Sequence, residues 1–226
     1  MSKISLIFYW VFFAVLNLKA SEYEITVLAT NTANFGGIGE WSFSALLESD
    51  DEKILFDTGF NENTVLHNAN LLGKDLSQVE KVILSHFHGD HTGGLIKLRK
   101  TFKDINPKAF SVVYVADGFF EQRYDEHGEL RGFIGGFNDV DNFLKETDDL
   151  GIRFVILKEP IEISKNLYLS GPVERIHERV VVSPGFYLKK DGLLLDDLVL
   201  DDQSLGILTK QGWYMMSGCG HAGMIN

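Results

Sequence analysis

Three histidines and an aspartate fall within one six-residue stretch, His86-Phe87-His88-Gly89-Asp90-His91. Just before it runs Lys81-Val82-Ile83-Leu84, a short apolar segment that reads as a buried strand. Alternate side chains of an extended chain share a face, so His86 and His88 project the same way. The chain must turn at Gly89, and Asp90 and His91 then sit at the mouth of a helix predicted through Leu95 to Lys100. Two imidazoles are thus aimed at one point, and a carboxylate with a third imidazole at a point beside it. Neutral imidazole and carboxylate suit zinc, and also iron or manganese. A lone histidine is ordinarily a surface or core residue. This density, between a strand and the pair Gly93-Gly94, points instead to a site for two metal ions.

The rest of the chain can supply a core for such a site. It has 226 residues, 45% of them hydrophobic, which suits one domain. The net charge of −11 argues against a general nucleic-acid binder, which needs a basic stripe. The single cysteine allows no internal disulfide. Residues 1–20 read as a signal peptide: Lys3 gives a positive start, Ile4 to Leu18 is nearly all apolar, and Leu18-Lys19-Ala20 is a cleavage site before Ser21. The run is short for a membrane span, so the expectation is a secreted or periplasmic domain over 21–226 with no membrane association after cleavage. An uncleaved anchor is the alternative.

Strands are predicted over Tyr23 to Ala29, Trp41 to Glu48, Lys53 to Phe56, Ser111 to Ala116 and Phe154 to Leu157. Ile161 to Ser170 carries strand-like spacing. Helices are predicted over Asn63 to Leu72 and Val140 to Leu150. Asn31 to Glu40 reads as a loop, either a substrate loop or an ordinary connection. Asp117 to Gly136, which carries Arg123 and Arg131, reads as a solvated loop, with a segment that carries substrate contacts as the alternative. His67, His127 and His177 read as surface residues. Asp57-Thr58-Gly59 is a turn, and Asp196 and Asp197 read as a solvated acidic face. Near the end, Ser204 to Thr209 and Gly212 to Ser217 form a hairpin that delivers Gly218-Cys219-Gly220-His221. His221 is then the third imidazole of the first metal site. Cys219 is either a second-site ligand or a small buried residue.

The His-x-His-x-Asp-His stretch resembles the signature of the metallo-β-lactamase superfamily. Lys53 to Gly59 upstream and Ser217 to Gly223 downstream extend the resemblance, which covers the chain from about Tyr23 to Asn226. Gly-Cys-x-His-x-Gly, with Asp201-Asp202-Gln203-Ser204-Leu205 before it, resembles a branch named for a dihydropterin-aminobenzene-phosphate synthase. The resemblance implies a four-layer αββα sandwich, two sheets face to face with helices outside. It implies two zinc ions, the first on His86, His88 and His221, the second on Asp90 and His91. Asp57 is then a residue that orients ligands, and Asp202 lies near the metals. Gly171-Pro172-Val173-Glu174-Arg175 resembles a branch segment whose arginine meets either an anionic group or a structural carboxylate. The superfamily has a further strand and helix with a last histidine. None follows Asn226, so the sequence reads as lacking its C-terminal end, with a weaker second site.

The expected chemistry is hydrolysis of a small-molecule ester, lactone, amide or phosphodiester, since a metal lowers the pKa of bound water from about 15.7 toward about 7. Asp90 is the expected catalytic carboxylate. Transferase-like pterin chemistry, a di-iron redox centre and an inactive metal-binding remnant are the alternatives. The sequence leaves substrate and oligomeric state open.

Overall fold

The computed structural model describes residues 23–132, 134–177 and 184–226. The expected signal peptide lies outside the described residues.

One sheet holds, in sequential order, β1 (Glu24–Ala29), β2 (Ser44–Glu48), β3 (Lys53–Phe56), β4 (Val79–Ile83), β5 (Val112–Ala116) and β6 (Arg153–Leu157). β1 to β3 form an antiparallel meander, and β3 to β6 run parallel. Parallel neighbours need long crossovers. These are supplied by α1 (Thr64–Leu71), by the single turn α2 (Gly89–Thr92) with α3 (Leu95–Phe102), and by α4 (Val140–Asp149). The second sheet is antiparallel. It contains β7 (Ile161–Ser164) and β8 (Leu167–Leu169). After a separate ribbon of β9 (Tyr187–Lys190) and β10 (Leu193–Asp196), β11 (Ser204–Thr209) and β12 (Gly212–Ser217) complete it in the order β12-β11-β8-β7.

The period-two rule explains why β3 reads as an unbroken apolar run. Leu55 faces the helices, where it joins Val65 and Ala69 of α1, Leu95 and Leu98 of α3 and Phe143 of α4. Ile54 and Phe56 face the other way. They meet Leu167, Leu169, Leu205 and Ile207 of the second sheet in a separate core. A strand covered on both faces has no polar side to show. Three layers follow: helices, mixed sheet, antiparallel sheet. On the second sheet Leu205 and Ile207 point inward. Register then places Met215, opposite Gly206, and Trp213, opposite Leu208, on the outer face, where both are exposed. Among the described residues no helix covers that face.

The structure changes three sequence expectations. Ile161 to Ser170 is a hairpin, turning at Asn166 with φ +64°. The strand expected from Trp41 begins at Ser44, and Trp41 is exposed. Asp197 and Arg123 are not solvated: both are buried, and they are paired with each other. The Asp117 to Gly136 loop folds back far enough to carry Arg123 inside.

Candidate metal centre

The site forms where β3, β4 and β12 end. Parallel strands direct their C-terminal loops to one edge, where open α/β sheets place their ligands. β3 stops at Asp57, whose backbone turns left-handed with φ +55°, a conformation Asp tolerates better than most residues. The turn buries the carboxylate completely and aims it at the loop after β4. Asp57 Oδ1 accepts from Ser85 N (2.7 Å), and Oδ2 accepts from Ser85 Oγ (2.8 Å). Oδ2 also lies 2.6 Å from His91 Nδ1.

These contacts fix the histidine tautomers. His91 gives its Nδ1 proton to Asp57, so Nε2 is the nitrogen left bare whenever the ring is neutral. Ser85 Oγ uses its own proton on Asp57, so at 2.9 Å it accepts from His86 Nδ1, which leaves His86 Nε2 bare. That nitrogen lies 2.9 Å from His88 Nδ1. A carboxylate or hydroxyl behind a ligating histidine sets its tautomer and raises its basicity.

His221 closes the first group. The donor atoms of His86, His88 and His221 lie within 4.8 Å of one another. Its loop comes in close: a Cβ on Gly218 would collide with Ser85 Oγ and Cβ and approach Asp57 Oδ2 to 3.1 Å. Asp202 Oδ2 accepts from Ala222 N at 2.6 Å, one residue past His221. Gln203 stitches β11 to the β4 loop through Ser85 O (2.9 Å) and Leu84 O (2.8 Å). Asp202 therefore sits beside the His221 loop and supports its backbone.

A second group joins His86, His91 and Cys219, again within 4.8 Å. Cys219 Sγ is 3.2 Å from His91 Nε2, and Asp90 Oδ2 is 3.5 Å from the same nitrogen. Cys219 is exposed, which rules out the small buried residue among its two sequence readings. Asp90 is on the first turn of α2, with most of its side chain buried.

The two groups differ in charge. Burial holds His86 well below its ordinary value, and neighbouring imidazoles add to the effect. Burial likewise pushes His88 down to about 3, with His221 adding to it. Both are neutral at physiological pH, the form that ligates metal. Burial would lower His91 too, but Asp57 and Asp90 outweigh it and raise His91 well above its ordinary value. Burial opposes ionisation of Asp90, and its contact with His91 prevails and lowers it. Three clustered imidazoles beside an imidazole, a thiol and a carboxylate fit zinc as a donor set.

The remaining candidates fall elsewhere. Arg175 has no carboxylate within hydrogen-bond range among the described residues; it donates to the carbonyls of Val173, Leu198 and Val199. His67 lies 2.8 Å from Gly36 O and anchors the Asn31 to Glu40 loop to α1. His127 and His177 are exposed. Between the Asn31 to Glu40 loop and β2, Phe43 N donates to Asp90 O. Sequence reasoning missed Ser85, which stands directly before His86 and carries its wiring. It also missed Arg123, which gave no signal beyond being a basic residue in a polar stretch.

A sandwich whose sheet edge gathers two overlapping sets of metal donors defines a class of metal-binding protein. The chain belongs to the metallo-beta-lactamase superfamily, whose family model matches residues 42–223. Its sequence is 29% identical over 219 residues to the 7,8-dihydropterin-6-methyl-4-(beta-D-ribofuranosyl)-aminobenzene-5'-phosphate synthase of Methanocaldococcus jannaschii, covering 92% of this chain and 71% of that protein. An uncharacterized protein of the same archaeon is 33% identical over 205 residues, covering 89% of this chain and 71% of the relative. Among solved structures, Tm1679, described as a metal-dependent hydrolase of the beta-lactamase superfamily, matches with a TM-score of 0.67 and 29% identity. The match covers 90% of this chain and 68% of that one.

Proposed function

We propose that this protein is a zinc-dependent hydrolase that cleaves an ester, lactone, amide or phosphodiester bond in a small molecule. The observation that carries the reading is the approach of His86 Nε2 to His88 Nδ1 at 2.9 Å, both buried and both neutral. These two neutral imidazoles and His221 bring ring nitrogens to a common point, where one cation can be shared among them. His86, His88 and His221 would hold a first zinc ion. His91, Asp90 and Cys219 would hold a second. Zinc bound there supplies a Lewis acid and an activated water at neutral pH. Asp90 would accept a hydrogen bond from the attacking water and so orient it. Asp57 and Ser85 keep the histidine lone pairs turned inward.

The similarity to the archaeal synthase supports a second reading, chemistry on a phosphorylated dihydropterin derivative. Zinc content of the purified full chain, with turnover of a lactone, a nitrophenyl ester and bis(nitrophenyl) phosphate, separates the cases. The hydrolase reading expects bound zinc and cleavage of at least one substrate, with cleavage lost in Asp90→Ala. Folded protein that binds no zinc would sink it. Bound zinc with no cleavage of any of the three moves the assignment to the pterin reading.

A further inference from the structure

We infer that Asp201 and Arg123 are positioning residues for the metal centre: a buried ion pair that fixes the peptide between His86 and His88. This inference rests on the zinc reading above. Phe87 separates the two ligands. Its backbone N donates to Asp201 Oδ2 at 2.8 Å, and Asp201 Oδ1 accepts from Arg123 Nη2 at 2.9 Å. The same guanidinium lies over the Phe87 ring, its Cζ 3.7 Å from the centroid. One cation thus grips Phe87 from both sides, through its peptide by way of Asp201 and through its ring directly.

The grip is rigid because the arginine has no freedom left. Its Nε donates to Asp197 Oδ2 at 3.0 Å, and its Nη1 donates to the carbonyls of Phe119 and Glu121. Arg123, Asp197 and Asp201 are all buried. Isolated buried charges are costly, and here one guanidinium is shared by two carboxylates while its Nε, Nη1 and Nη2 all find acceptors. Asp197 Oδ1 also accepts from Val199 N and holds Val199 at φ +52°, a conformation a β-branched residue rarely takes. That turn presents Asp201 to Phe87 on one side and Asp202 to Ala222 on the other. The three imidazoles of the first group are thus set from one short segment, 197–202.

Asp201→Asn isolates the effect. Both oxygens of Asp201 are in use, and an amide has only one acceptor. Whichever way it turns, its NH2 faces either Phe87 N or Arg123 Nη2, donor against donor. Leu76→Ala, a core truncation at the far end of β4, serves as the stability control. The readouts are Zn2+ affinity by chelator competition and the visible spectrum of the Co2+-loaded full chain.

The expected result is a loss of about 10- to 100-fold in Zn2+ affinity for Asp201→Asn, with a shifted Co2+ spectrum. Leu76→Ala should change affinity by less than about twofold, as distant sites act independently. If Asp201→Asn fails to fold, Arg123→Lys replaces it. Lys keeps the charge and loses the fork, and it should move affinity and spectrum in the same direction. Affinity and spectrum indistinguishable from the control in the folded variant would overturn the inference and leave the zinc reading intact. A wild-type chain that takes up no Zn2+ would overturn both.

Discussion

Asp57→Asn tests the proton wiring of the site without removing an atom's worth of volume. The native carboxylate is fully buried and receives three donors: Ser85 N at 2.7 Å, Ser85 Oγ at 2.8 Å and His91 Nδ1 at 2.6 Å. An amide keeps one acceptor oxygen. Turned toward Ser85 N, it presents its NH2 to Ser85 Oγ and His91 Nδ1. His91 must then move its proton to Nε2, the nitrogen that faces Cys219 and Asp90. Turned the other way, it leaves Ser85 N opposed by a donor in the interior. Either outcome removes one charge-assisted hydrogen bond, so the metal-free fold should lose about 1.5–3 kcal/mol. The larger effect is on binding. A protonated Nε2 cannot ligate, so zinc at the second group should weaken by about 10- to 100-fold or more. Ser85 Oγ can still accept from His86, so the first group should keep its ion. The assay is zinc stoichiometry and affinity by chelator competition, read beside 15N chemical shifts of the imidazoles. Two zinc ions bound with wild-type affinities in folded Asp57→Asn would refute the reasoning.

Other outcomes follow from the same geometry. His88→Ala deletes a donor of the first group and should remove most bound zinc; unchanged metal content by elemental analysis would dismiss the assignment. Gly218→Ala drives a methyl into Ser85 and toward Asp57, which should weaken zinc at both groups while the inter-sheet core stays intact. That variant should melt within a few degrees of wild type, and retention of both ions would show that the loop can yield. Zinc affinity should split with pH. His91 is raised well above 6.5 by Asp57 and Asp90, so the second ion must displace a proton and should bind about tenfold more weakly per pH unit below the pKa of His91. His88 at about 3 is already neutral, so the first ion should show little such dependence between pH 6 and 8; calorimetric titrations at those two values, with parallel slopes for both ions, would exclude the charge difference.

The clustered donors were legible in the sequence because their arrangement is local: a strand, two alternating imidazoles, a glycine turn, then Asp90 and His91. The two-sheet scaffold was legible from the apolar run of β3 and from the hairpin before Gly218. The supports were not, since they work across the chain. Phe87 meets Asp201 over 114 positions, and Gln203 meets Leu84 over 119. Nothing near Asp197 distinguishes it from its exposed neighbour Asp196. What separates them is one turn at Val199 and a guanidinium arriving from position 123. Charge pairing also inverts the usual inference from composition. Asp197, Asp201 and Asp202 count toward a net charge of −11, and Asp197 reads as part of a solvated face, yet all three are buried. An acidic run can be structural when a single arginine, placed inside, gives two of its carboxylates a partner and ties one of them to the backbone between two of the clustered histidines.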